Sequence, residues 1–307
     1  MAGMPAILLY NFEAAILRSR GDTRTTLICL VISGIVNVIL NLFFVIICHM
    51  SAGGVAIATV IANIVSALLL LRRLMTAGDE TKVSLNKIRP DRMIASQMLK
   101  IGVPAGIQGM VFSLSNMCVQ FAINSLGSDA MAASSAAFYI EIMAYFAINA
   151  FGQAATTFIG QNYGAGNIPR CRKITRTCMG VGLGVAVPVS FILLYFGRQI
   201  LWIFNSDPVI IEIGRTRLFY ILAFEGINVL MEIFSGSLRG YGYSTVPALV
   251  SIFGVCVVRI FWVFSVFAND PTYERLMQVY PISWALTSFV LAILYFIFRR
   301  KISARKP

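Results

Sequence analysis

The stretches "LRSRGDT" (residues 17–23) and "LRGYGYS" (residues 238–244) are two polar interruptions of the same form, each placed between apolar segments. Leu, Arg, Gly and a hydroxyl residue recur in the same register, 221 residues apart. The arginines and glycines at matching positions are Arg18, Gly21, Arg239 and Gly242. A glycine just after a helical segment allows the chain to reverse, so the motif predicts a turn between helices in each of two related units.

The composition predicts a protein that spans a membrane. Of the 307 residues, 58% are hydrophobic and 12% are charged, whereas an ordinary soluble domain carries about 25% charged residues. A helix needs roughly 20 apolar residues to cross a bilayer, and of the nine apolar segments only the first is too short to cross fully. The segments are 3–17, 26–48, 52–71, 97–123, 130–159, 174–196, 216–238, 246–268 and 279–298.

The net charge of +12 reflects membrane topology and gives no indication of a nucleic-acid partner. Of the 25 basic residues, 20 lie in every second loop, within 18–24, 72–100 and 170–176, at Arg239, and after residue 298. This alternation follows the positive-inside rule. It predicts a multi-pass protein of the cell membrane, with the C-terminus and the loop over 72–100 in the cytoplasm.

The repeat also predicts the domain organisation. "LLLLRR" and "YFIFRR" close the two apolar halves in the same way, and two units in the same orientation are typical of secondary transporters. The 221-residue offset places the start of the first unit about 130 residues before residue 1, so we expect that unit to be incomplete. The predicted parts are 1–73 (the second half of the N-terminal lobe), 74–96 (a cytoplasmic linker), 97–300 (a complete C-terminal lobe) and 301–307 (a basic cytoplasmic tail).

Carboxylates within the spans are the strongest candidates for chemistry, because each is costly at membrane depth unless it is paired or lies in a water-filled cavity. They are Glu13, Glu141, Glu225 and Glu232. Arg259 is interpreted as the only basic residue near a membrane midplane, so a structural ion pair with Glu232 or Glu225 is expected. Glu141 has no basic partner in its own span, which favours a proton or cation site there.

A second polar group lies in the first unit. Asn37 and Asn41 are one helical turn apart and share a face, and Thr59 lies in the following span. Amides within a membrane need hydrogen-bond partners. Contacts that hold helices together are therefore the default interpretation of this group.

Several functional classes are disfavoured by motifs that the sequence lacks. There is no HExxH, no paired Asp-rich motif and no GxxxxGK[ST], which are the signatures of zinc hydrolysis, prenyl-diphosphate chemistry and nucleotide binding. The six cysteines form no CxxC pair, and His49 is the single histidine. We therefore expect no enzymatic activity, no metal centre and no cofactor.

Six segments carry a resemblance to a known family. They are "AAILRSRGDT" (14–23), "NVILN" (37–41), "AGGVAIAT" (52–59), "IGVPAGIQGMVFSLSNM" (101–117), "GQNYGAGN" (160–167) and "LRGYGYSTVP" (238–247). Together they resemble the multidrug and toxic-compound extrusion (MATE) family. The resemblance implies an all-α membrane protein with twelve helices in two parallel six-helix repeats, of which about helices 4–12 are present. It also implies alternating access around a central cavity and export of bulky, often cationic or amphipathic compounds, driven by inward Na⁺ or H⁺.

The resemblance implies a cation site in the first lobe. Asn37, Asn41 and Thr59 fall where many members of the family build such a site. The position of Asn41 is commonly Asp in those members. Their site is completed by an Asp in helix 1, which has no counterpart in the residues from 1 onward.

In the second lobe, some members carry an acidic residue in helix 7, but the matching stretch, residues 108–112, has none. A second acidic position of the family, in helix 10, falls near Asn228, with Glu225 one turn away. On this comparison Glu141 is the first candidate for coupling to Na⁺ or H⁺, and Glu225 is the second.

The leading functional hypothesis is a secondary active transporter, acting as a monomer in the lipid bilayer, that exports drugs, organic cations or metabolites in exchange for Na⁺ or H⁺. One alternative is a lipid-linked saccharide flippase of the same superfamily, which needs a strongly basic cavity, whereas Arg259 is the single arginine expected there. Another alternative is an inactive, truncated remnant of a transporter.

Overall fold

The computed structural model describes residues 3–78, 82–84, 89 and 91–304. The chain divides into two compact units, Met1–Asp91 and Arg92–Pro307. The described residues contain helices and turns and no strand. The all-α architecture expected from the apolar segments is thus confirmed.

The first unit contains three helices, α1 (Met4–Ser19), α2 (Thr23–Leu42) and α3 (Ala52–Thr76). The last turns of α2 continue as a π-helix over Phe43–Ile47. Small and apolar side chains join the three helices in a core of Ala14, Leu17, Cys29, Leu70 and Leu74. Nine further side chains of α2 are large, apolar and exposed, as expected of a helix that lies in a membrane.

The second unit is built from nine further helices in its described residues. They are α4 (Arg92–Ser125), α5 (Ser128–Gly164), α6 (Ile168–Tyr195), α7 (Gly197–Phe204), α8 (Pro208–Leu222), α9 (Glu225–Gly240), α10 (Thr245–Phe267), α11 (Tyr273–Met277) and α12 (Val279–Ala304). Helix α10 is irregular, because two π-helical stretches, Ile252–Val257 and Val263–Phe267, interrupt it. Helices α5 and α9 pack against each other at the centre of this unit.

Seven helices among the described residues are long and apolar enough to cross a membrane, and a bent pair of helices would make an eighth span if the two count as one. That pair is α8 and α9, which meet at an angle of 42°. The sequence predicted one continuous span over 216–238, and the structure corrects this. The break at residues 223–224 contains neither proline nor glycine, so the usual sequence signals of a kink are missing at that point.

The linker and the tail are shorter than predicted. Helix α3 extends to Thr76 and α4 starts at Arg92, which leaves 77–91 as the connection; of the predicted linker, 79–81, 85–88 and 90 lie outside the described residues. Helix α12 continues through 301–304, where Lys301 near its C-terminus is favourable for the helix dipole. Residues 305–307 of the predicted tail lie outside the described part of the chain.

The two turns that carry the repeat have the same geometry. Gly21 and Gly242 have positive φ angles of 85° and 88°. In each turn the glycine N–H donates to the carbonyl of the motif arginine, Arg18 or Arg239, at 2.9 Å, and the next N–H donates to the carbonyl of the motif leucine at 3.0 Å. Both turns are therefore Schellman motifs, in which a left-handed residue ends a helix.

Asp22, which follows the first of these glycines, starts α2. Its carboxylate accepts hydrogen bonds from the backbone N–H of Thr25 at 3.0 Å and from the Thr25 hydroxyl at 2.7 Å. These hydrogen bonds, the backbone one first, hold the pKa of Asp22 below its usual value. The same short loop thus ends one helix and caps the next.

Replacing Gly21 by alanine tests the turn directly. A built Cβ meets no atom within 4 Å at Gly21 or at Gly34, which lies within α2, but only Gly21 has a positive φ. Gly21→Ala should therefore lower the free energy of unfolding by about 1–2 kcal/mol. Gly34→Ala, the matched control, should leave it unchanged or raise it by up to about 1 kcal/mol. Thermal unfolding of the purified chain in detergent measures both, and equal effects at the two glycines would contradict the assignment.

Glycines also set the approach of α5 and α9. A Cβ built at Gly236 would collide with the carbonyl oxygen of Gly152, and one at Gly240 would lie 2.9 Å from the carbonyl oxygen of Thr156. The Thr156 hydroxyl lies 3.0 Å from the carbonyl oxygens of both Gly152 and Gly236 and shares its one proton between them. Gly236 and Gly240 are four residues apart, the spacing by which small residues let membrane helices meet backbone to backbone.

Candidate functional site

The strongest polar contact within the second unit joins Glu141 of α5 to Arg217 of α8. The Arg217 Nη2 donates to Glu141 Oε1 at 2.6 Å, and its Nε donates to Oε2 at 3.0 Å. The two side chains are only 7% and 11% exposed. The pair is thus a buried, two-pronged ion pair, the arrangement in which arginine holds a carboxylate most firmly.

Arg217 is the buried partner of Glu141 that the sequence interpretation missed. The span was expected to start at residue 216, which placed Arg217 at the membrane boundary. Helix α8 in fact starts at Pro208, so Arg217 lies ten residues into it. The available signal was Glu141 itself, because a buried carboxylate without a basic partner in its own span requires one on another helix.

The ion pair expected between Arg259 and either Glu232 or Glu225 is not formed. Arg259 Nη1 instead donates to Asn116 Oδ1 of α4 at 3.2 Å. The centre of its guanidinium lies 4.4 Å from the centroid of the Tyr280 ring, a cation–π contact. Glu225 and Glu232 are seven residues apart and so share a helix face, but spacing alone does not indicate which helix that face meets.

Glu225 starts α9, directly after the break that separates it from α8. The side chain is buried, at 2% exposure. Asn228 Nδ2 donates to its Oε1 at 3.2 Å, while its Oε2 is buried and has no hydrogen-bond partner among the described residues.

Glu232 lies two turns further along α9. Its carboxylate packs against the backbone of Gly152, and it makes no hydrogen bond or ion pair with another described side chain. Arg239 attracts it electrostatically, and the same arginine donates to Gln108 of α4 at 3.0 Å. Arg239 of the turn motif therefore links the C-terminal end of α9 to α4.

The polar group of the first unit is brought together in part. Asn41 Nδ2 donates to Asn37 Oδ1 at 3.0 Å, and Asn41 Oδ1 is buried without a partner in the described part of the chain. The Thr59 hydroxyl donates to the Val55 carbonyl of its own helix at 2.9 Å. The two asparagines thus form a pair, and no hydrogen bond joins Thr59 to them.

Two further observations concern ion sites. Glu13 of α1 is 3% exposed, and neither carboxylate oxygen has a hydrogen-bond partner within the residues described. No group of three or more His, Cys, Asp or Glu side chains that could hold a metal ion occurs among those residues. The carboxylates of the spans discussed above therefore lie singly or beside amides and arginines.

A family profile and the sequences of known proteins both match this chain to one family. The profile of the MatE family matches residues 104–264. The chain is 25% identical over 264 residues to "Probable multidrug resistance protein NorM" of Thermotoga maritima, and 29% identical over 272 residues to "Probable multidrug resistance protein YoeA" of Bacillus subtilis. These matches cover 85% and 84% of this chain but 57% of each relative. The chain thus spans little more than half the length of these relatives.

A solved structure supports the same architecture. The crystal structure of a MATE protein in complex with MaL6 superposes with a TM-score of 0.90 at 18% sequence identity. The match covers 97% of this chain and 68% of the other. At this level of identity the similarity establishes the fold, and it bears out the expected MATE-like plan.

Proposed function

The chain belongs to the MatE family, and on that premise we propose that it is the transporting part of a secondary active transporter in the cell membrane, multi-pass and with a cytoplasmic C-terminus. It exports small amphipathic or cationic compounds or metabolites in exchange for Na⁺ or H⁺, and it alternates access between the two sides. Its relatives named as multidrug resistance proteins support the substrate class. Coupling by a carboxylate requires no cofactor beyond the ion itself.

The observation that carries the coupling proposal is the free oxygen of Glu225. A carboxylate at membrane depth is stable when it is protonated or holds a cation, and Oε2 has no protein donor among the described residues. Glu225 also lies at the break between α8 and α9. Discontinuous helices are the places where transporters bind their coupling ions.

The same geometry changes the order of the two coupling candidates. Glu141 was placed first, but both of its oxygens accept from Arg217, which leaves no strong site for a proton or cation. We therefore propose Glu225 as the ion-binding carboxylate. Glu141 instead holds Arg217 of α8 and so fixes α5 against α8.

The asparagine pair of the first unit is proposed as a weaker, neutral cation site. Asn41 Oδ1 is buried without a partner among the described residues, so it is available as an oxygen ligand. Thr59 Oγ1 still has lone pairs while it donates to Val55. Amide and hydroxyl oxygens bind Na⁺ but do not take up a proton at neutral pH, so a contribution of this site implies Na⁺ coupling.

Glu225→Gln should abolish efflux of a fluorescent organic cation driven by an imposed Na⁺ or H⁺ gradient, because the amide neither ionises nor takes up a proton. The measurement uses everted membrane vesicles that contain the 307-residue chain. Glu212→Gln is the matched control on α8, since Glu212 is 69% exposed and pairs only with Arg215. It should leave the efflux rate within about twofold of the parent, as surface charges rarely matter.

Two outcomes would contradict the proposal. Unchanged efflux in Glu225→Gln would remove Glu225 from the coupling mechanism. Vesicles with the parent chain that accumulate the cation no faster than vesicles without it would favour the alternative of an inactive remnant. The flippase alternative needs a strongly basic cavity and has little support. Glu141 neutralises Arg217, so of the two buried arginines Arg217 and Arg259 only Arg259 lacks a carboxylate partner among the described residues.

A further inference from the structure

Arg259 is a buried positive charge for which the described residues supply no carboxylate partner. The residue is 4% exposed. Its single hydrogen bond runs from Nη1 to Asn116, and Nε is buried without an acceptor. A buried charge that lacks a counter-charge is strongly destabilising. A bound anion would therefore stabilise the Arg259 guanidinium.

The neighbouring arginine shows which edge of Arg259 is available. Arg217 holds Glu141 through its Nε and Nη2 atoms, and it is the Nε edge of Arg259 that lacks an acceptor. Both guanidinium groups lie near the ring of Tyr280, at 5.8 Å and 4.4 Å from its centroid. This cluster therefore combines two cations with one carboxylate, and the fork geometry of the free edge matches a second carboxylate.

The backbone around Arg259 and the surface beside it both favour a ligand. Two π-helical stretches, Ile252–Val257 and Val263–Phe267, lie on either side of the residue, and such irregularities in helices are frequent at functional sites. Asn116, its partner, lies on an exposed face of α4 within this unit, next to Met117, which is 54% exposed. A flexible methionine beside a polar group suits an amphipathic molecule.

We propose that Arg259 binds the carboxylate group of a small organic anion or zwitterion. The carboxylate lies in the plane of the guanidinium at its Nε–Nη2 edge, while Tyr280 lies over the face of the group and Asn116 accepts from Nη1. This site is separate from the coupling role of Glu225. It extends the range of ligands from cations to carboxylic acids, and its test measures binding without transport.

Benzoate is a suitable probe, and benzamide is its uncharged counterpart of the same shape. With ionic strength held constant by NaCl, benzoate should raise the thermal midpoint of the purified chain in detergent saturably, by about 3 °C or more. Benzamide should not raise it. In Arg259→Gln the benzoate effect should disappear, whereas Arg215→Gln, which removes a half-exposed arginine of α8, should retain it.

The more conservative Arg259→Lys keeps the charge but loses the paired N–H donors that bind both carboxylate oxygens. Half-saturation should therefore require about tenfold more benzoate. This variant and the parent protein decide the matter if Arg259→Gln does not fold. The proposal is overturned by equal effects of benzoate and benzamide, by a benzoate effect that survives in Arg259→Gln, or by unchanged half-saturation in Arg259→Lys. A saturable effect of chloride that benzoate does not exceed would instead indicate a halide site and equally overturn the carboxylate assignment.

Discussion

Arg217→Gln should lower the free energy of unfolding by about 3–5 kcal/mol, the usual cost of removing one partner from a buried ion pair. Glu141 would keep its negative charge in a site where it is 11% exposed and has lost both of its hydrogen bonds. Glu141→Gln should cost a similar amount, because it leaves a second arginine beside Tyr280 without a carboxylate. Thermal or denaturant unfolding in detergent micelles measures the loss.

The double variant Glu141→Gln/Arg217→Gln measures the interaction free energy between the two side chains. It should be more stable than the sum of the two single losses predicts, since neither charge is then left alone. Strict additivity would show that the two side chains do not stabilise each other. The same variant also tests coupling by Glu141, because ion-driven efflux that persists in it would exclude Glu141 as the carboxylate that carries the ion.

Gly236→Ala should lower the free energy of unfolding by at least about 3 kcal/mol, at the upper end of overpacking effects. The new methyl group would collide with the backbone carbonyl of Gly152, which cannot turn away as a side chain does. The two helices would have to separate, and the hydrogen bonds of Thr156 to both carbonyls would lengthen. Unfolding in detergent and the yield of membrane-inserted protein both report the effect.

Gly226→Ala is the matched control on the same helix. A Cβ at Gly226 would meet side-chain atoms of Val187 and Leu183 at 3.6 Å and 3.7 Å, which is ordinary van der Waals contact. Its stability should therefore remain within about 1 kcal/mol of the parent. Equal losses at Gly226 and Gly236 would mean that the intolerance comes from helix propensity or from α9 in general, and the close contact with α5 would not explain it.

Much of the fold follows from periodicity and composition. The repeat of "LRSRGDT" as "LRGYGYS" predicted two turns with the same backbone, and the matching φ angles of Gly21 and Gly242 confirm it. A positive φ depends on a few neighbouring residues, so a short motif is sufficient to specify it. The spans were also predictable, because a helix that crosses a bilayer must be apolar over most of its length.

Partners across helices were not predictable in the same way. Glu141 meets Arg217, which lies 76 residues away on another helix, and Arg259 meets Asn116, which lies 143 residues away. Helix spacing shows which residues share a face but not which helix that face contacts or at what depth.

The sequence by itself determined that this is a helical membrane protein, where its turns lie and which carboxylates are unusual, because hydropathy and turn chemistry are local properties. Only the tertiary structure decided which of those carboxylates is neutralised. Pairing depends on the rotation and the contact of whole helices, and those are set by close packing such as that of Gly236 against Gly152. For that physical reason Glu141 became half of an ion pair, and Glu225 kept a buried oxygen without a hydrogen-bond partner among the described residues.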